Sequence, residues 1–425
     1  MTEDNGAPAN GSILVVGGGI SGLTAALEAA EVGYDVFLLE KNPYLGGRVA
    51  QLKQYFPKLC PPTCGLEINF RRIKDNPRIK VLTMAEVENV DGTPGNYTAR
   101  VKIMPRYVNE NCTCCGDCAA ACETEIDSAF DFGMKKAKAA FLPFEMAFPA
   151  RFVISPQIIG TPDAARCAEA CKYNAVDLGM AEKTLTLNVG AVVWATGWQP
   201  YDATKIDNLG FGTYPNIITN MMMERLAAPN GPTKGMIVRP SDGKAPESVA
   251  FVQCAGSRDE NHLPYCSYIC CMASLKQATY LRAQYPDANI YIFYIDLRAP
   301  GQRYEKFYQQ IKTDEKIFFI KGKVAEVSEV PDTGNITVTA ENAVTGEKIK
   351  QTVDMVVLAT GMQPTAAIDK LPADLTYTED GFIINDFEKG GMFAAGCANK
   401  PADVVSSNQN ATGMALKAIQ TLVRR

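Results

Sequence analysis

Ile13-Leu14-Val15-Val16-Gly17-Gly18-Gly19-Ile20-Ser21-Gly22-Leu23 carries the strongest structural signal in this chain. A short β-branched and leucine run meets three glycines at 17, 19 and 22, the G-x-G-x-x-G spacing. From Leu23 the pattern turns helical, with Leu23, Ala26, Leu27 and Ala30 on one face. Gly33 ends that helix, and Val36-Phe37-Leu38-Leu39 reads as a second buried parallel strand closing on Glu40. In such a strand–loop–helix unit Gly17 permits the tight turn, Gly19 lets backbone approach a pyrophosphate, and Gly22 allows close helix–strand packing. The helix N-terminus behind Gly18, Ile20 and Ser21 favours phosphate charge. Glu40 stands where it can accept the ribose hydroxyls of a dinucleotide. The glycine spacing alone is weak; with both strands, the helix and the acid it is specific.

Outward from this unit, composition narrows the class. The 425 residues suit two or three domains, and 47% apolar with 21% charged residues is ordinary for a globular protein. The net charge of −5 and the lack of a Lys/Arg cluster argue against a nucleic-acid or lipid-headgroup surface. Residues 1–10 are polar and read as a disordered tail, not a secretion signal. No apolar run approaches the ~20 residues of a membrane helix, so a membrane role must come through a partner. Fourteen cysteines without an export signal point to metal binding or redox work, since structural disulfides do not persist in a reducing compartment. The single histidine, His262, removes most His-ligated zinc sites and Ser-His-Asp hydrolysis.

Cys112, Cys115, Cys118 and Cys122 form C-x2-C-x2-C-x3-C, the ferredoxin run. Zinc held by four thiolates is the alternative. In two-cluster ferredoxins the fourth cysteine of each run serves the other cluster. Of a second run only Cys167 and Cys171 remain, so Cys171 can complete one [4Fe–4S] cluster with Cys112, Cys115 and Cys118. Cys122 and Cys167 are then left over, and Cys114 is an extra thiol. Cys254, Cys266, Cys270 and Cys271 form another set, where a pyridine-nucleotide domain would carry its own glycine loop; buried structural thiols are the alternative, and four cysteines within 18 residues argue against it. Cys270 and Cys271 can share one cluster only at a helix end or an irregular turn, and a helix running on through Met272 and Leu275 supplies such an end. Cys60 and Cys64 are a C-x3-C pair open to three readings: a redox dithiol, cluster ligands or structural thiols.

The segments divide as a tail at 1–10, FAD-binding parts at 11–108, 184–245 and 351–425, a ferredoxin-like insert at 109–183, and a degenerate NAD(P)-type domain with an iron–sulfur site at 246–350. The flavin assignment rests on resemblance. Glu40-Lys41 with Gly46-Gly47-Arg48 resembles the FAD-facing segment of the thioredoxin and glutathione reductases, as do Ala195-Thr196-Gly197 and the stretch ending in Gly396. Cys397 stands where those families usually carry an aspartate for the ribityl chain, and Val87 is grouped with these residues as a further cofactor contact. The expected fold is therefore α/β: a two-lobed FAD/NAD(P)-binding flavoprotein with an inserted ferredoxin-like iron–sulfur module.

Over nearly its whole length the chain resembles the A subunits of heterodisulfide reductases. The likeness rests on Glu40-Lys41, Gly46-Gly47-Arg48, Phe56-Pro57 before Cys60 and Cys64, the ferredoxin insert, the block from Gln253-Cys254 to Cys270-Cys271, and Gly396-Cys397-Ala398. Its compact size and degenerate second run are similar to the branch found in the quinone-interacting membrane-bound oxidoreductase (Qmo) complexes of sulfate reducers. The resemblance implies FAD, a [4Fe–4S] cluster on Cys254, Cys266, Cys270 and Cys271, and Lys276 beside the flavin ring, where the bland alternative is a solvated helix lysine. It implies an oxidoreductase component, cytoplasmic and attached to the inner membrane through partners. Those partners are adenylylsulfate reductase, a homologous flavin/iron–sulfur subunit, and a membrane quinone-reactive subunit. Two other functions stay open: an NAD(P)H-dependent disulfide reductase using Cys60 and Cys64, and a non-redox assembly subunit.

Overall fold

The computed structural model describes residues 11–423; the tail expected at 1–10 lies outside the described residues. The first βαβ unit forms where the glycine spacing puts it. Strand Ser12–Val16 leads through the loop into helix Ile20–Glu31 and back to the parallel strand Asp35–Glu40. Five parallel strands make the first sheet, in the order Met392–Ala394, Ala191–Trp194, Ser12–Val16, Asp35–Glu40, Ile79–Thr83. Side chains alternate across it. Ile13 and Val15 pack with Leu23, Leu27 and Ala411 of helices Ile20–Glu31 and Val404–Val423. Leu14, Val192 and Trp194 pack with Val90, Ala99 and Val101 of an antiparallel meander on the other face.

The ferredoxin-like insert hangs from that meander. Strands Asn96–Ile103 and Lys183–Val189 pair with Ile103 opposite Lys183, so the chain leaves and returns at one point. The insert has its own small core, including Val108, Ala140, Ile154 and Ala164. It is also fastened to the first lobe, where Phe130 joins the core under the helices.

The second lobe repeats the plan. Strands Ile217–Thr219, Met355–Thr360, Ser248–Ala255, Asn289–Tyr294 and Ile317–Lys321 form a second parallel sheet. A three-stranded meander covers one face and helix Cys270–Gln284 the other. Ile217–Thr219 and Met355–Thr360 were expected within FAD-binding segments, yet both pair in the second sheet. Short apolar strands look alike in either sheet, and their long-range partners decide. The lobes are joined by an antiparallel crossover, Trp198–Pro200 against Met362–Pro364.

Candidate functional site: a nucleotide cradle, an interlobe cleft and three thiol groups

Gly17 adopts φ +110°, and a β-carbon there would run into the Ala195 carbonyl. A β-carbon on Gly22 would strike the carbonyl of Gly17. Gly19 is different: the nearest atom to its imagined β-carbon is Gly47 Cα at 3.9 Å. Helix Ile20–Glu31 has no side-chain cap on Gly19, so its first N–H groups are left for a ligand. The Glu40 carboxylate is buried and fixed, accepting from Gly18 N (2.7 Å) and from Asn42 N (2.8 Å) and Nδ2 (2.7 Å). Burial raises its pKa above the usual carboxylate value, against those hydrogen bonds. Gly396 lies against Ser21, and Thr196 Oγ1 is buried without a partner. Arg48 donates to Trp198 O (3.3 Å), Val87 is half-buried against the core that holds Leu14 and Trp194, and Lys41 is exposed. Cys397 is buried, 3.4 Å from Ala402 O, and burial pushes its thiol up to about 11. An open backbone face, an uncapped helix start and an orphaned hydroxyl fit a dinucleotide.

A cleft of about 830 Å³, its open mouth included, lies between the lobes. Its walls are largely apolar, with Val49, Phe56, Met221, Met272 and Met362 among them. Lys276 reaches it but is no solvated lysine. Its Nζ is buried, 3.0 Å from Glu224 Oε1, and donates to Gln54 O at 2.5 Å. Glu224 also accepts from Gln277 Nε2 (2.8 Å), Lys53 N (2.9 Å) and Tyr280 OH (3.3 Å). Sequence reasoning missed Glu224. The available signal was a charged pair, Glu224-Arg225, among Met221, Met223 and Leu226 on a buried helix.

In the insert, Cys112, Cys115, Cys118 and Cys171 line one cavity of about 300 Å³, its open space included. Cys118 is pushed up to about 11, chiefly by burial. Burial acts the same way on Cys171, but backbone N–H groups of Val176, Ala175 and Tyr173 outweigh it and hold its thiol below the usual value. Ala175 N donates to Cys171 Sγ at 3.3 Å. Four converging thiols fit a cubane of iron and sulfur. Cys114, in a left-handed turn at φ +58°, is outside that lining. Cys122 and Cys167 meet elsewhere, with Asp163, and their three ligand atoms lie within 4.8 Å of one another. Asp163 was also missed.

Cys254, at φ +55°, is the last residue but one of strand Ser248–Ala255, and residues 256–269 replace a tight glycine turn before helix Cys270–Gln284. Cys270 and Cys271 open that helix, which has no side-chain cap. Burial, and after it the charges of Cys254, Cys271 and Cys266, raise Cys270 well above the usual thiol value. Burial also raises Cys254, to about 11, and Cys271, so three of these thiols are held neutral until a cationic cluster ionises them. Cys60 and Cys64 flank the start of helix Pro62–Asp75, outside the lining of the cleft, and Cys64 is exposed.

Residues 15–81 match the family described as NAD(P)-binding Rossmann-like domain. The chain is 39% identical over 421 residues to the second iron–sulfur A subunit of the CoB–CoM heterodisulfide reductase of Methanopyrus kandleri, covering 96% of this chain and 64% of the relative. It is 37% identical to the A subunit of the H(2)/formate:CoB–CoM heterodisulfide, ferredoxin reductase of Methanococcus maripaludis, over 95% of this chain and 63% of that one. The chain thus spans a little under two thirds of these relatives' length. Among solved structures, thioredoxin reductase of T. acidophilum superposes with a TM-score of 0.52 at 15% identity, covering 97% of each chain. Bacillithiol disulfide reductase of Bacillus cereus gives 0.51 at 13%, covering 98% of this chain and 99% of that one. These similarities bear out the two-lobed flavoprotein disulfide reductase fold.

Proposed function

We propose, from its homology to the iron–sulfur A subunits of heterodisulfide reductases, that this chain is a FAD-binding, iron–sulfur electron-transfer subunit of an oxidoreductase complex. One helix carries the reading. Cys270–Gln284 opens with Cys270 and Cys271 and lines the cleft with Met272, Ala273 and Lys276, so a cluster on those thiols would adjoin the ring site. FAD exchanges electrons in pairs or singly, and [4Fe–4S] clusters exchange them singly.

The chain's own residues divide the remaining work. Gly17, Gly19 and the uncapped helix start hold the pyrophosphate, and Glu40 takes the ribose hydroxyls. The apolar cleft walls keep water from the ring site. Lys276, oriented by Glu224, puts a cation on the wall and favours negative charge developing there. Cys254, Cys266, Cys270 and Cys271 hold one cluster, and Cys112, Cys115, Cys118 and Cys171 hold another.

The finer reading is a Qmo-type complex. In it, electrons pass between the membrane quinone pool and cytoplasmic adenylylsulfate reductase, by way of a homologous flavin/iron–sulfur subunit, together with a membrane subunit. Support comes from the sequence resemblance and from the loss of two thiols in the second ferredoxin run. No helix among the described residues is long and apolar enough to cross a membrane, and in this reading a partner meets the quinone. The test is an anaerobic visible spectrum of the complex with iron analysis. Flavin and cluster absorbance bleached by a quinol but not by NADH is expected. Rapid bleaching by NADH, half-saturating well below about 1 mM, overturns the relay in favour of a pyridine-nucleotide reductase.

A further inference from the structure

Counting the C-x2-C-x2-C-x3-C spacing back from Cys171 puts the two missing cysteines of the second run at Thr161 and Ala164. Neither replacement can ligate a cluster from where it stands. Thr161 caps helix Pro162–Glu169, with its hydroxyl oxygen accepting from Ala164 N at 3.5 Å, and Ala164 is packed in the insert's core. Two thiols of that half remain, Cys122 and Cys167, 2% and 0% exposed. Between them the helix delivers Asp163, 5% exposed.

Asp163 is held rigidly. It accepts from Glu123 N (3.0 Å), Thr124 N (2.8 Å) and Arg166 (2.9 Å). Cys122 Sγ lies 3.4 Å from Asp163 Oδ2, and all three ligand atoms fall within 4.8 Å of one another. A tetrahedral ion with metal–sulfur bonds of about 2.3 Å and metal–oxygen bonds of about 2.1 Å has a sulfur–oxygen edge of about 3.6 Å. The Thr124 carbonyl oxygen, 3.6 Å from Cys122 Sγ, supplies a further donor. Charge also favours a cation. Two thiolates and a carboxylate are offset by a divalent cation and the Arg166 guanidinium, which the exposed Glu123 carboxylate shares at 2.9 Å.

We infer that Cys122, Asp163 and Cys167 form a mononuclear site for a tetrahedral divalent ion of the zinc class, in the place of a second cubane. Binding releases two thiol protons and forms two metal–sulfur bonds, with no change of oxidation state. The ion joins the end of the first cysteine run to helix Pro162–Glu169 and braces the insert. The inference rests on the reading that Cys112, Cys115, Cys118 and Cys171 hold the insert's cubane.

The test uses the full chain, purified anaerobically with its clusters intact. Zinc and iron are measured by mass spectrometry, cobalt(II) is titrated by absorbance, and the cubane is followed by EPR. The expected result is one zinc per chain, exchangeable for cobalt with a thiolate-to-cobalt charge-transfer band. Cys122→Ser and Cys167→Ser should each lose that band and keep the insert's cubane signal, while Cys171→Ser should do the reverse. Wild-type protein with its cubane signal intact that takes up neither zinc nor cobalt overturns the site. So does a Cys122→Ser, Cys167→Ser double variant that binds cobalt as wild type does, or a second cubane signal abolished by Cys167→Ser. A cobalt band that depends on Cys122 and Cys167 in protein lacking the insert's cubane supports the site and sinks only the cubane reading.

Discussion

Gly19 and Gly22 stand three residues apart and tolerate a side chain very differently. At Gly22 the added methyl meets the Gly17 carbonyl, so Gly22→Ala forces the helix off the strand. A cost of about 1–3 kcal/mol is expected, read as a lower denaturation midpoint. At Gly19 the added bulk enters open space, so Gly19→Val should fold normally yet lose its flavin. Circular dichroism and flavin content separate the two; a folded Gly19→Val protein with full flavin removes this loop as the pyrophosphate site. Glu224 sets a second residue-scale expectation. Its side chain is 2% exposed and its carboxylate faces the Lys276 ammonium. Glu224→Ala leaves that cation buried and unpaired and should cost about 3–5 kcal/mol. Glu224→Gln keeps the hydrogen-bonding shape, and its midpoint should fall less while the flavin potential moves upward, because the cation loses its counter-charge. An unchanged potential in Glu224→Gln would show that Lys276 acts on the fold alone.

At the scale of elements, helix Cys270–Gln284 is proposed to join a cluster to the flavin, and its start is the test of that role. Replacing both Cys270 and Cys271 by serine should remove the iron of this cluster and leave the insert's iron in place. Iron content equal to wild type would dismiss the cluster. The attachment of the insert is a second element-scale matter. Arg225, on helix Asn220–Ala227, pairs with Asp131 of the insert at 2.9 Å, with the two side chains 1% and 2% exposed. Its guanidinium also lies 4.6 Å over the Phe130 ring and donates to Gln51 O at 3.3 Å. Asp131→Ala strands a buried guanidinium, and a loss of about 3–5 kcal/mol is expected. Proteolysis should then cut the insert first, since its covalent root at Ile103 and Lys183 remains paired. A variant with the wild-type midpoint would mean the pair contributes nothing to docking.

Over the whole molecule, two copies of one plan face each other across the cleft, and only the first keeps a glycine turn after its leading strand. In the second copy residues 256–269 and four cysteines stand in that place. That substitution was legible, because a glycine spacing or a cysteine spacing is local and its chemistry follows from the residues themselves. Cysteine spacing also grouped Cys171 with Cys112, Cys115 and Cys118 as proposed ligands, and the four line one cavity. The lobe boundaries were not legible. Val356-Val357-Leu358 reads as a buried strand in any parallel sheet, and only its register against Ala250-Phe251-Val252 assigns it to the second lobe. The partners of Lys276 and Arg225 were hidden likewise. Glu224, Gln54 and Asp131 come from other elements; the apolar neighbours of Glu224 mark it as buried, but nothing local names the cation that each one meets. Sequence alone determined the turns, helix starts and thiol spacings, whose energetics are settled within a few residues. Tertiary structure decided which strands share a sheet and which charges meet in the cleft, because those hydrogen bonds and ion pairs form between distant segments, and burial sets their strength.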